Sequence, residues 1–366
     1  MPQTTERRDP DQVLRALEPW LTQRMGVERL DSLQVAAPEG HGFSNDTFMV
    51  DAVVEGEPTP LVVQAAPTGE GLFPEYQIAR MAKVQQDLRD HSVVPVANVR
   101  WYEEDPSLLG APFYVMDRMR GRVPDESPKP YHSDGWLLSA APEERRQLWL
   151  SMLQAMAELH RIEVAPHFSY LTETRWGISL DADPAKERLR QWSDYTIWAS
   201  EDGELPKALM RAWEVLGAAL PPRPERLSIG WGDAKLGNLM CSGFEVVALL
   251  DWELCGVGPA EEDLMNQLAV DAVLADVSRV ERLDGLPSQS ETVSLYEELL
   301  QRKLLGTDWW YAFALAKMTA EIHRILVQRR KLGSLPAGID LESANIALPR
   351  LLRELETFSS SDRTTT

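Results

Sequence analysis

Apolar side chains at Val13, Leu14, Leu17 and Leu21 recur at helical spacing, which predicts one amphipathic helix over residues 10–30. The period then changes. "SLQVAAPEGHGFSNDTFMVDAVV" holds two β-rich runs around a Gly40-His41-Gly42 turn, and "LVVQAAP" at 61–67 reads as a third strand ended by Pro67. "FPEYQIARMAKVQQDLRDH" predicts a helix with Ile78, Met81, Ala82 and Leu88 turned inward, and "VANVRWYEED" and "PFYVMDRM" add two strands. Past Met119 comes a Gly/Pro-rich connection, "RGRVPDESPKPYHSDG". Helical spacing dominates beyond it, with Leu148, Met152, Leu153, Met156 and Leu159 on one face of 143–161. Further helices are expected over 185–200, 205–219, 261–275 and 291–356. Two short strand signals, "LSIGW" and "EVVALLDW", interrupt them and predict an inserted β-ribbon.

Strands with one helix, then helices with one ribbon, is segregation rather than alternation. It predicts an α+β fold and argues against a parallel α/β sheet. A small β-rich N-lobe, preceded by a helix, is expected over residues 1–118, and a larger helical C-lobe over 119–366. Clefts between such lobes are common ligand sites. The chain has 366 residues, of which 44% are hydrophobic, enough to bury full cores. Its net charge of −20 repels phosphate backbones, and no basic run exceeds Arg329-Arg330-Lys331, so no nucleic-acid partner is expected. No apolar run reaches membrane-spanning length, so no membrane partner is expected either. The start, "MPQTTERRDP", has no apolar signal core, and two cysteines, Cys241 and Cys255, are too few for a disulfide framework. Both features fit a cytoplasmic protein, a monomer or a homodimer. No His/Cys cluster has zinc spacing, and there is no G-x-S-x-G elbow.

The informative stretch is Ile229 to Met240, "IGWGDAKLGNLM". Asp233 is followed at +5 by Asn238, and Asp251 closes the apolar run of "ALLDWE". Phosphoryl transfer uses this layout. A carboxylate at Asp233 can hold an acceptor hydroxyl in line and take its proton. A triphosphate needs hard cations with oxygen ligands, which the Asn238 amide and the Asp251 carboxylate can supply to Mg²⁺. An acid directly after Val-Val-Ala-Leu-Leu is costly unless it is paired or metal-bound.

"GWGDAKLGNLM…VVALLDWELCGVGPAEEDL" resembles the aminoglycoside phosphotransferase-like family of small-molecule kinases, which includes choline-kinase-type enzymes. It is closest to the branch containing the kinase-like domains of acyl-CoA dehydrogenase fusions. The family signature is H-G-D-x-x-x-x-N, a strand, D-W/F-E, then G-x-x-x-x-D-L. The resemblance covers roughly residues 30–270 and implies a protein-kinase-like two-lobe fold. It implies ATP or GTP with Mg²⁺, and phosphorylation of a hydroxyl on a small molecule, aminoglycoside-like or hydroxyacyl-type. By the same resemblance, Asp233 is the catalytic base, Asn238 and Asp251 are the metal ligands, and Asp263 braces the catalytic loop. "GHGFSNDTFMV", with Gly40, Gly42, Ser44 and Asn45, matches the phosphate-covering loop. "PFYVMDRMRGR" matches the hinge, where backbone groups from Met116 to Arg118 would meet adenine. Glu75 matches the glutamate of the small-lobe helix, and "MAELHRI" its Leu-His helix end, where His160 is expected to pack rather than to catalyse.

The chain departs from that pattern at three places. Trp231 stands where the family has the signature histidine, and can fill its volume. Gln64 stands where a small-lobe Lys or Arg would pair with Glu75 and hold phosphates, and an amide carries no charge. Lys235, two residues after Asp233, is placed to reach a γ-phosphate and restore that charge. Gln64 also supports an alternative, a pseudokinase-like module that binds a nucleotide or metabolite without transfer. For the acceptor, Arg175, Lys186, Arg188 and Arg190 form either a basic patch suited to an acyl-CoA or a solvated helix face. Trp149, Trp192 and Trp213 lie in helical patterns and are expected in the core.

Overall fold

A computed structural model describes residues 8–38, 45–127, 129–201, 203–336 and 338–361. Contacts divide the chain into two units, Met1–His91 with Pro95–Arg120, and Ser92–Val94 with Gly121–Thr366.

In the first unit, α1 (Pro10–Met25) begins where the Asp9 carboxylate accepts the Asp11 N–H and Pro10 takes the first helical position. It ends at Gly26, short of the 10–30 span that periodicity suggested, because the Gly26 and Val27 N–H groups turn back onto Gln23 and Thr22. Then come β1 (Ser32–Ala36), β2 (Asp46–Val54), β3 (Glu57–Ala65), α2 (Ile78–His91), β4 (Val99–Glu103) and β5 (Phe113–Asp117). The five strands form one antiparallel sheet, ordered β1-β2-β3-β5-β4. Side-chain alternation sends Leu61 and Val63 to one face, where Val13, Leu17, Trp20 and Leu21 of α1 cover them. It sends Val62 to the other face, against Ile78, Met81 and Ala82 of α2. Gln64 falls on the α2 side by the same alternation.

The helix expected over 73–91 starts five residues late, at Ile78. Residues 73–77 form their own turn instead. Tyr76 folds back over Gly71, and its hydroxyl accepts the Phe73 N–H at 3.2 Å. Glu75 is thereby left exposed ahead of α2.

The second unit contains α3 (Gly135–Ser139), α4 (Pro142–Arg161), α5 (Pro184–Ala199) and α6 (Lys207–Ala218). Next come β6 (Ser228–Gly230), β7 (Leu239–Ser242), β8 (Glu245–Leu249) and β9 (Gly256–Gly258). The chain continues through α7 (Ala260–Ser278), α8 (Gln289–Leu300), α9 (Thr307–Lys331), α10 (Leu341–Ala344) and α11 (Leu348–Ser361). The expected single ribbon is two ribbons: β6 pairs with β9, and β7 with β8. The strands β7 and β9 are too short to show a period of their own. The expected helical stretch at 291–356 is broken into four helices. The longest, α9, runs through the middle of the unit and packs against α5, α6, α7 and α11. Trp149, Trp192 and Trp213 are buried, as are both free cysteines. Among the described residues no helix is long and apolar enough to cross a membrane.

The first turn of α7 holds three consecutive buried acids, Glu261, Glu262 and Asp263. A helix N-terminus favours negative charge, and each acid also has its own partner. Arg302 meets Glu261 at 2.7 Å, Arg188 meets Glu262 at 2.6 Å, and His160 meets Asp263 at 2.9 Å. The position of α7 is therefore set by charge as well as by packing.

Leu17, 1% exposed, joins α1 to the sheet. Leu17→Ala is expected to lower the stability of the first unit by about 2–5 kcal/mol, read as a shifted urea midpoint. A change within about 0.5 kcal/mol, the size of a surface substitution, would show that α1 is not part of that core.

Candidate active site

The loop after β6 is held almost group by group. The Trp231 and Gly232 N–H groups donate to the two oxygens of Asp263, at 2.6 and 2.9 Å. The buried ammonium of Lys317, on α9, donates to the Gly232 carbonyl and, at 3.2 Å, to Asn266 Oδ1. Asn266, one helical turn beyond Asp263, donates to the Ala234 carbonyl at 3.1 Å. Gly232 has φ 91° and lies so close to the Leu254 backbone that a Cβ would collide with it. Trp231, fully buried, donates its indole N–H to the Leu250 carbonyl at 2.7 Å. It therefore ties the loop to the residue preceding Asp251, which a packing residue alone would not do. The brace expected of Asp263 is present, and His160 is buried with both ring nitrogens engaged. His160 shares Asp263 with the loop and meets the Tyr296 hydroxyl at 2.5 Å through its other nitrogen.

This loop presents Asp233, Lys235 and Asn238 together. The Asn238 amide nitrogen donates to Asp233 Oδ2 at 2.8 Å and to its carbonyl at 3.0 Å, which leaves the amide oxygen for a cation. Lys235 Nζ lies 2.8 Å from Asp233 Oδ2. Burial raises the Asp233 pKa, but Lys235 and Lys317 outweigh it and hold the carboxyl below its ordinary range, so Asp233 is ionised. Burial depresses Lys235, but Asp233, Glu126 and Asp251 outweigh it and keep it a cation.

The β7–β8 hairpin brings in Asp251. Leu239 pairs with Leu249, and the Leu250 N–H donates to the Asn238 carbonyl at 2.7 Å. Asp251 itself has left the strand, with φ 60°, a left-handed conformation that costs a non-glycine residue of order 1–3 kcal/mol and that Asp tolerates better than most. Its carboxylate accepts the Glu253 N–H, yet Oδ1 is buried with no hydrogen-bond partner. Burial and then Asp233 push its pKa up to about 6. A buried carboxylate oxygen with nothing to bind, beside a second carboxylate, suits a hard cation. Among the described residues no group of three or more His, Cys, Asp or Glu forms a closed metal cage. A cation at Asn238 and Asp251 would thus draw its remaining ligands from phosphate and water.

Three groups here escape a reading of the sequence. Glu126, from the Gly/Pro-rich connection, accepts the Gly237 N–H at 3.0 Å and lies 3.9 Å from Lys235. Lys317 is one lysine in the otherwise apolar "YAFALAKMTA", a signal that a buried charge must find partners. Glu321, one turn further along α9, has Lys317, Asp233, Lys235 and Asp251 as electrostatic neighbours. Its Oε1 is buried without a hydrogen bond, and burial pushes its pKa up to about 7.

The residues expected on the small lobe fare differently. Gly40, Gly42 and Ser44 lie outside the described residues, and Asn45 is half-buried just ahead of β2. Gln64 Oε1 accepts the hydroxyl of Tyr114, its direct neighbour across β3 and β5, and Gln85 of α2 donates to the same hydroxyl at 3.2 Å. Glu75 is not on α2; it is exposed and accepts from the Gln77 amide at 2.7 Å. Where the family's Lys or Arg would pair with Glu75, Gln64 joins a neutral Gln64–Tyr114–Gln85 chain, and the late start of α2 leaves Glu75 outside the helix. At the hinge, Met116 pairs with both Val62 and Val99 in the sheet interior. The Asp117 and Arg118 N–H groups are spent on the Asn98 and Pro60 carbonyls, and the Arg118 side chain pairs with Asp51. Those two N–H groups are therefore not free to meet a base.

Of the four cations considered for a basic patch, Arg188 is withdrawn from the surface. Arg188 is buried and spent on Glu262, the Trp176 carbonyl and Gln191. Arg190 pairs with Glu187 and Asp194, Lys186 lies 3.8 Å from Asp183, and Arg175 lies over the Trp176 ring.

The sequence profile described as the phosphotransferase enzyme family matches residues 36–283. Acyl-CoA dehydrogenase family member 11 of Pongo abelii is 28% identical over 349 residues, covering 92% of this chain and 42% of the relative. The chain thus spans less than half the length of that relative. A candidate aminoglycoside phosphotransferase from Ralstonia eutropha shares the fold with a TM-score of 0.69 and 23% identity, covering 94% of this chain and 98% of that one. A thermostable aminoglycoside phosphotransferase APH(4)-Ia, solved with AMP-PNP and hygromycin B, gives a TM-score of 0.55 at 12% identity, over 93% of this chain and 98% of that one. The small antiparallel sheet and the helical second unit agree with the match over most of the chain, and the chain belongs to the phosphotransferase enzyme family.

Proposed function

We propose that the chain transfers the γ-phosphoryl group of ATP to a hydroxyl of a small molecule with the help of Mg²⁺. The observation that carries this is the buried, unpartnered Oδ1 of Asp251 beside an ionised Asp233. The APH(4)-Ia neighbour binds AMP-PNP, which supports ATP as the nucleotide. Asn238 and Asp251 would hold the cation. Bound Mg²⁺·ATP supplies the transferable group and neutralises charge on the phosphates.

The chain's own residues do the rest. Asp233 orients the acceptor hydroxyl and takes its proton. Asn238 fixes the Asp233 carboxylate through its amide N–H groups. Lys235 remains a cation against the phosphate. Lys317 and Asp263 keep the loop backbone from shifting. The acceptor is either an aminoglycoside-like or a hydroxyacyl-type compound, the latter suggested by the acyl-CoA dehydrogenase relatives. A coenzyme A phosphate would need cations other than Arg188, which is buried and paired with Glu262.

A second reading rests on Gln64. Its amide, tied to Tyr114, supplies no charge to a triphosphate, which favours a module that binds a nucleotide without transferring phosphate. The two readings part on whether any hydroxyl compound stimulates ATP consumption.

Calorimetric titration with ATP is expected to show Mg²⁺-dependent binding that weakens by about tenfold or more in Asp251→Ala. Binding equally tight with and without Mg²⁺, or unchanged in that variant, would remove Asp251 from the cation site. Asp233→Asn is expected to lower turnover by about 10²–10⁴-fold with little change in nucleotide affinity, a split read by steady-state kinetics beside calorimetry. Full turnover by Asp233→Asn would sink its role as base.

A further inference from the structure

Glu126 has no part in the scheme above, yet its place is built with care. Its Oε1 accepts the Gly237 N–H at 3.0 Å, and a Cβ on Gly237 would run into the Glu126 carboxyl. Glycine at 237 therefore makes room for this side chain. The segment carrying it is anchored at both ends. Arg122 and Cys241 exchange two backbone hydrogen bonds of 2.9 Å, which fastens one end to β7. Tyr131 donates its N–H to the Asp125 carbonyl at 2.7 Å and its hydroxyl to Asp271 at 2.8 Å, while His132 lies 3.2 Å from the same carboxylate. This fastens the other end to α7. A carboxylate held this firmly in a largely buried place has a partner to serve, since burial otherwise penalises it.

That partner is Lys235. Its ammonium sits 2.8 Å from Asp233 Oδ2 and 3.9 Å from Glu126 Oε2, with side-chain exposures of 24% for Lys235 and 21% for Glu126. Lys235 is thus flanked by two carboxylates, hydrogen-bonded to Asp233 and within ion-pair range of Glu126. Its ammonium has N–H groups to spare for a phosphate, but a phosphate brought to it must share its charge with Glu126. Asp233 is needed at the acceptor hydroxyl and is held by Asn238. Glu126 is the group from which the ammonium can be drawn.

We propose that Glu126 is a positioning residue that competes with nucleotide phosphate for Lys235, holding the ammonium in the nucleotide-free protein and releasing it when a γ-phosphate takes its place. This rests on the nucleotide-dependent reading above. It adds a further carboxylate to the field that already favours the Lys235 ammonium. It also makes nucleotide affinity weaker than the Lys235 charge by itself would allow.

The test is a double-mutant cycle on binding, which does not need an acceptor to be known. Glu126→Gln keeps an oxygen for the Gly237 N–H and removes the charge. Calorimetry with Mg²⁺·ATP on the wild type, Glu126→Gln, Lys235→Met and the double variant is expected to show about threefold to tenfold tighter binding in Glu126→Gln and no such gain in the Lys235→Met background. AMP, which lacks the outer phosphates, should show no gain in any background. Glu126→Ala must tighten ATP binding as well, and Glu126→Asp must behave as the wild type, with thermal melts confirming that each is folded. Unchanged or weaker binding in Glu126→Gln overturns the proposal. So does a gain that persists without Lys235, which would mean simple repulsion between Glu126 and the phosphates. A wild type that binds no nucleotide at all overturns the phosphotransfer reading together with this one, whereas nucleotide binding with an additive cycle overturns this one alone.

Discussion

Everything in the candidate site depends on one carboxylate. Asp263 sits in the first turn of α7 and accepts two consecutive backbone N–H groups, from Trp231 and Gly232. Charge-assisted bonds of this kind are among the stronger ones available to a backbone. Burial would raise the Asp263 pKa, but His160 and the two N–H groups outweigh it and hold the carboxyl below its ordinary value, so the acceptor stays charged. Because α7 is itself located by Arg302 and Arg188, the loop inherits its position from the charge pattern of the second unit. Lys317 and Asn266 then fix the Gly232 and Ala234 carbonyls, and the Trp231 indole ties the loop to the Leu250 carbonyl. A loop so restrained can hold Asp233 in place against the repulsion of Asp251.

That repulsion is the second constraint. Four carboxyl groups, Asp233, Asp251, Glu126 and Glu321, share their surroundings with two ammoniums, Lys235 and Lys317. The imbalance is stored where it matters: Asp233 is held ionised, Asp251 is pushed up to about 6 and Glu321 to about 7. Two of these groups, Asp251 and Glu321, also keep a buried oxygen with no hydrogen bond. Perturbed, under-satisfied carboxyls gathered around a rigid loop mark places where a ligand completes the electrostatics. The Trp231 indole is part of the same arrangement, since its bond to the Leu250 carbonyl stands directly before Asp251 and its left-handed backbone.

The first unit follows a different rule. Its sheet is sorted by alternation, with α1 on one face and α2 on the other, and Gln64 goes to the α2 face. A neutral amide there is satisfied by neutral partners, Tyr114 and through it Gln85. A cation at this position would need an acid, and Glu75 is not within the helix that could offer one. Gln64 and the late start of α2 are therefore consistent with one another.

The α+β class, the strands of the first unit, most helices, and the grouping of Asp233, Asn238 and Asp251 were legible from the chain alone. Period and spacing are local properties, and each of these elements is long enough, or its motif compact enough, to show them. The bracing role of Asp263 was legible through the family resemblance, which places an acid there. What the chain did not show is held by contacts between distant segments. Glu126 comes from a Gly/Pro-rich connection with no period, and it reaches Gly237 only because Tyr131 and His132 are pinned to Asp271 more than a hundred residues away. Lys317 and Glu321 are separated from the loop by two helices. Arg188 looks like a solvated cation until α7 is packed over it and Glu262 takes its charge. The pairing of β6 with β9 rather than β8 follows from which short strands lie side by side. Local sequence set the types of the groups and the elements that carry them. Tertiary packing decided which charges would face one another, because an ionised side chain's role depends on the partner that burial forces on it.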